Sequence, residues 1–97
     1  MDDTSHRIHN PAAPDEIVAE VTLTAPAGLA GLVANARRAQ KEWAGVPGAQ
    51  RAARLNAFLD DVEAASEEIA TSITMEQGKP LAEASGEVMK SVSEGRA

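Results

Sequence analysis

The sequence predicts a mostly α-helical chain that opens with a β-hairpin. Three observations predict it. β-branched and polar residues alternate through residues 16–24, apolar residues recur at helical spacing between residues 29 and 73, and a Gly-Lys-Pro corner at residues 78–80 precedes a further apolar stripe. Residues 1–6 are expected to be a disordered lead-in, residues 7–24 the hairpin, and residues 25–97 a set of amphipathic helices.

Ile8 is followed by Asn10-Pro11-Ala12-Ala13-Pro14-Asp15, a run of turn formers whose prolines exclude a helix. The second strand then takes residues 16–24, where Val21 and Leu23 alternate with Glu20 and Thr22. A lone hairpin is marginal in water, so this one needs a surface to pack on. Ala25-Pro26-Ala27-Gly28 ends the strand and opens the first helix, whose stripe is Leu29, Leu32, Val33, Ala36, Gln40 and Trp43. Gly45-Val46-Pro47-Gly48 stops it. A second helix starts near Ala49 with Leu55, Phe58, Leu59 and Val62 on one face. A break is expected around Ala64-Ala65-Ser66, with Ser66 as the cap of a new start carrying Ile69 and Ile73. Gly78 suits a left-handed helix end and Pro80 a helix beginning, so residues 77–80 form a corner. The last helix carries Leu81, Ala84, Ser85, Val88, Met89 and Val92, and Gly86 weakens it by about 1 kcal/mol relative to alanine.

Ninety-seven residues allow one domain. The hydrophobic fraction of 43% overstates the core, because twenty of those residues are alanine and only one Trp and one Phe are present. Burial stabilises by roughly 25 cal/mol per Å², and alanine has little area to bury. Ordering the backbone costs roughly 1–2 kcal/mol per residue, so the segment is expected to be part of something larger. The net charge of −6 argues against a nucleic-acid or anionic-membrane surface. The densest basic patch, Arg37, Arg38, Lys41, Arg51 and Arg54, is interleaved with alanine and is expected to be a solvated helix face. No cysteine is present, which removes disulfides and a thiolate nucleophile from these residues. The polar N-terminus carries no apolar signal core, and no run approaches the ~20 apolar residues of a membrane helix. A soluble, cytoplasmic chain is expected.

Three stretches carry a resemblance. Asn10-Pro11-Ala12 through Glu16-Ile17-Val18-Ala19-Glu20-Val21, then residues 34–46 with Trp43 followed by Arg51 and Leu55, and above all Glu76-Gln77-Gly78-Lys79-Pro80-Leu81-Ala82-Glu83-Ala84 with Gly86-Glu87-Val88 behind it, are similar to the N-terminal segment of the aldehyde dehydrogenase superfamily. Ala13-Pro14-Asp15 departs from the family's Thr-Gly turn by about one residue. The resemblance covers nearly everything from Arg7 onward and is nearest in lettering to semialdehyde-oxidising members. It implies the N-terminal part of an α/β fold, with residues 25–97 belonging to an incomplete cofactor-binding domain. It also implies an intact, homo-oligomeric parent that oxidises an aldehyde to a carboxylic acid with NAD or NADP.

In such a parent a thiolate attacks the aldehyde, hydride leaves to the nicotinamide, and water cleaves the thioester. Those steps need a nucleophile, a base and a phosphate-cradling loop. The resemblance places the catalytic cysteine, the glutamate base and the cofactor loop beyond this stretch. No catalytic and no cofactor-binding residue is therefore expected here, and no cofactor on this chain alone. Gly28-Leu29-Ala30-Gly31 opens a helix without a third glycine, so it is not the loop. His6 and His9 lie three apart on a strand, on opposite faces, and should not share a metal ion. Asp60, Asp61, Glu63, Glu67 and Glu68 are expected to form a solvated face. Trp43 is expected to anchor a core. Lys79 is expected to hold helix-end carbonyls at the corner. The resemblance further implies a monovalent-cation site in some relatives, for which Glu87 matches the carboxylate and the backbone near His9 the carbonyl; oxygen donors suit such a hard cation.

The leading expectation is thus a truncated, non-catalytic N-terminal portion whose partner is the remainder of a dehydrogenase subunit, with neither nucleic acid nor membrane involved. The alternative is a stand-alone helical interaction module derived from that family, its apolar stripes binding a partner chain.

Overall fold

In the computed structural model, which describes residues 4–96, strands β1 (Ser5–Asn10) and β2 (Ala13–Thr22) form an antiparallel hairpin. A short 3-10 turn (Pro26–Gly28) then leads into four helices: α1 (Leu29–Ala44), α2 (Gly48–Ala64), α3 (Ser66–Gln77) and α4 (Leu81–Arg96). The architecture is the expected one, mostly α behind a β-hairpin. Ser5 and His6, expected in the lead-in, already pair with Thr22 and Val21. Residues 1–3 of that lead-in lie outside the described residues.

The hairpin is irregular for a physical reason. Register runs Ser5↔Thr22 to Ile8↔Ala19, then jumps to His9↔Ile17 and Asn10↔Ala13. β2 therefore carries the extra residues, Pro14 among them, which cannot donate to a ladder and is tolerated at an irregularity. The expected turn over residues 10–15 is shorter than the composition suggests, since β2 starts at Ala13 rather than at Glu16. Asn10 Oδ1 accepts from the Ala12 amide at 2.9 Å, which closes the turn, and His9 Nδ1 donates to the Pro14 carbonyl at 2.8 Å. The alternation also resolves differently. Val18 and Ala19 are half-buried, while Val21 and Leu23, expected to face inward, are exposed.

Among the described residues, full burial is confined to α3 and α4: Ala70, Ala84, Val88 and Val92. Half-buried Val62, Ile69 and Ile73 pack against the cluster of Ala70, Ala84 and Val88. The helices meet at a corner set by Gly78, whose φ of 74° places it in the left-handed region. Its amide donates to the Thr74 carbonyl at 2.9 Å. A side chain at Gly78 would also come within 3.0 Å of Pro11 Cγ, so the corner sits directly on the hairpin turn. A second close approach joins α4 to α2, where a Cβ at Gly95 would lie 2.9 Å from both Leu59 methyls. Ser66 is not a cap. Ala65 occupies the cap position, with no side-chain hydrogen bond, and Ser66 is the first residue of α3.

What these elements do not form is a second layer. The Cα atoms extend 49 × 40 × 15 Å, and a helix with its side chains is already about 10–12 Å across. The radius of gyration is 17.6 Å, against about 12.5 Å for a compact chain of this length. The accessible surface is 7466 Å², where a folded monomer of this mass exposes about 5,300 Å². Part of the exposed area lies on the expected stripes. Leu29, Leu32 and Val33 of α1 and Leu55 and Phe58 of α2 are each at least half exposed.

Two glycines, one at the corner and one inside α4, should behave oppositely. Gly78→Ala should lower the urea midpoint of the helical circular-dichroism signal, because a side chain in the left-handed region costs about 1–2 kcal/mol and presses on Pro11. Gly86→Ala should raise it by the equivalent of about 0.5–1 kcal/mol, since nothing lies within 4 Å of the added methyl.

Candidate functional surface

Three local arrangements bring chemistry-bearing side chains together. The first is the Gly78 corner. Lys79 Nζ forms an ion pair with Glu87 Oε1, nearly two turns into α4, so Lys79 does not hold helix-end carbonyls as expected. The carboxylate matched to a cation site is thereby already neutralised by an ammonium. The second is the far end of α4. Arg96 donates to Asp60 Oδ1 at 2.5 Å and to Glu63 Oε2 at 2.8 Å, two carboxylates three apart on one face of α2. Both were expected to be solvated; all of the carboxylates from Asp60 to Glu68 are indeed exposed, yet these two fasten α4 to α2. Hydrogen bonds from Arg96 to Glu63, then to Asp60, hold its pKa above the ordinary arginine value. The raised basic pKa contributes stability while the two carboxylates are ionised, and that contribution is lost as pH rises through the folded value, far into alkali.

The third arrangement is the corner between α1 and α2. Trp43 is half-buried there with Val46, and the Arg54 guanidinium stands 5.9 Å from the centre of its ring, within cation–π range. A recess opens between Ala36, Ala39, Gln40, Glu42, Trp43, Val46 and Arg54. Trp43 therefore marks the floor of a surface hollow more than the centre of a core. Arg38 hydrogen-bonds to Asn35 Oδ1. Arg51 Nε is buried with no hydrogen-bond partner among the described residues.

The histidines are exposed. Both line one shallow recess with Ser5 and Arg7, and His9 is tied to Pro14 as above. No group of three or more His, Asp or Glu side chains able to hold a metal occurs among the described residues. No helix among them is long and apolar enough to cross a membrane. Gly28 lies in the 3-10 turn and residues 29–31 in α1, so that glycine pair forms no phosphate-cradling loop.

Sequence reasoning missed the Arg96 bracket and the Lys79–Glu87 pair. The i, i+3 spacing of Asp60 and Glu63 was a usable signal for a shared cation. Nothing in the sequence says that the cation comes from 33 residues beyond Glu63.

The arrangement first defines a class: a one-layer helical unit, opened by a β-hairpin and closed by glycine corners, with exposed apolar faces on α1 and α2. The comparisons then give the family. Residues 1–96 match the aldehyde dehydrogenase family, and the chain belongs to it. Among its relatives, malonate-semialdehyde dehydrogenase 2 of Shouchella clausii is 34% identical over 85 residues, which cover 88% of this chain and 17% of that protein. The 3,6-anhydro-alpha-L-galactose dehydrogenase of Streptomyces coelicolor is 38% identical over 88% of this chain and 18% of its own length. The mitochondrial succinate-semialdehyde dehydrogenase of Arabidopsis thaliana is 34% identical, over 90% and 16%. The chain thus spans about a sixth of the length of these relatives.

If the Arg96 bracket fastens α4 to α2, Arg96→Ala should raise the amide hydrogen-exchange rate of the last turns of α4. Arg96→Lys should restore only part of the protection, because an ammonium cannot present the planar fork that reaches two carboxylates.

Proposed function

We propose that this chain serves as the N-terminal portion of an NAD(P)-dependent aldehyde dehydrogenase subunit and does not catalyse by itself. In this reading its helices form one layer of the cofactor-binding domain, and the remaining polypeptide supplies the second layer together with nucleophile, base and cofactor loop. The observation that carries the reading is the exposure of α1: Leu29, Leu32 and Val33 are each more than half exposed, at the spacing a buried helix face requires. Two of the relatives above are named as semialdehyde dehydrogenases, which supports a semialdehyde as the parent's substrate class. The parent's assembly into a homo-oligomer belongs to the same reading. So does a monovalent cation on Glu87, which would have to displace Lys79 from that carboxylate.

A fusion tests this. Residues 1–97 are joined to the Shouchella clausii enzyme shortened by its own matching segment. NAD and NADP are offered in turn with malonate semialdehyde. Turnover by the fusion, with none from either piece alone, is the expected outcome. Turnover by this chain alone, or a fusion no better than the shortened relative, contradicts the reading.

A further inference from the structure

The cations of this chain divide by position. Arg7, Lys79, Lys90 and Arg96 each lie within ion-pair distance of a carboxylate. Arg37, Arg38, Lys41, Arg51 and Arg54 form no ion pair among the described residues, although the whole chain is acidic at −6. Residues 29–59 hold these five cations and a single carboxylate, Glu42, a local charge of +4. Arg37 and Lys41 stand one helical turn apart on one flank of the α1 stripe. Arg54 lies over Trp43 at the end of that stripe.

We infer that the α1–α2 corner docks an acidic, amphipathic polypeptide segment, its apolar side on Leu32 and Val33 and its carboxylates on Arg37, Lys41, Arg51 and Arg54. This names the chemistry of the partner for the face treated above and rests on α1 being an interface. Charge complementarity selects the occupant. A nucleic acid would satisfy the guanidinium groups but leave the leucine stripe in water. An apolar helix without carboxylates would cover the stripe and strand the cations.

Trp43 is the only tryptophan, so its fluorescence reports on the corner alone. The full chain is titrated with a synthetic helical peptide bearing Leu at i, i+3, i+4 spacing and Glu on the flanks. Parallel titrations use the same peptide with Lys for Glu and a single-stranded oligonucleotide. The acidic peptide should change Trp43 emission saturably, more weakly as salt is raised. R37Q/K41Q should weaken binding by about tenfold, and R37E/K41E should favour the Lys peptide, with circular dichroism unchanged in both. No saturable change, an equal response to the Lys peptide, or tighter binding of the oligonucleotide would overturn the inference. Failure here with an active fusion enzyme would remove this inference alone; peptide binding with an inactive fusion would remove the dehydrogenase reading and leave a docking module.

Discussion

A layer of helices one helix thick can bury only the flanks along which its members touch. That constraint governs this structure. α3 and α4 touch along a line of alanine and valine, where Ala70, Ala84 and Val88 are buried together. Elsewhere the broad apolar faces have nothing opposite them. Stable domains stack at least two layers around a shared core, and the thickness and surface of this chain leave room for one. The alanine-rich composition is consistent with this. Small residues let α3 and α4 approach closely within the layer, while Leu29, Leu32, Val33, Leu55 and Phe58 stand exposed on α1 and α2.

The devices that hold the layer together are small and local. Gly78 turns the chain where any other residue would be strained, and the same position rests against Pro11, so the helical corner and the hairpin turn fix one another. Gly95 admits the Leu59 side chain, and the neighbouring Arg96 reaches across to α2. These contacts orient α2, α3, α4 and the hairpin. α1 has no comparable bracket. It is tied to the rest through its leading turn and through the stacking of Arg54 on Trp43.

Much of this was legible from residues alone. Helix ends marked by Gly45, Pro47, Gly78 and Pro80 fell where glycine and proline chemistry places them, and the Glu76–Ala84 run carried the family. The strand faces were not legible, because register irregularities opposite His9 and Asn10 shift which residues of β2 turn inward. Nor was the role of the stripes. Periodicity reports that a face is meant to be buried, but not whether its cover is in the same chain; Leu29 and Val88 look alike in sequence, yet one is 52% exposed and the other 4%. Long-range ion pairs such as Arg96 with Asp60 depend on the final packing, and no local pattern announces them.

Amide hydrogen exchange across the isolated, monomeric chain addresses the central claim most directly. If α1 is one face of an unfinished interface, its amides should exchange almost as fast as an unfolded peptide while those of α3 and α4 remain protected. Equal, strong protection of α1 and α4 in the monomer would show that the chain completes its own core, and would contradict the account.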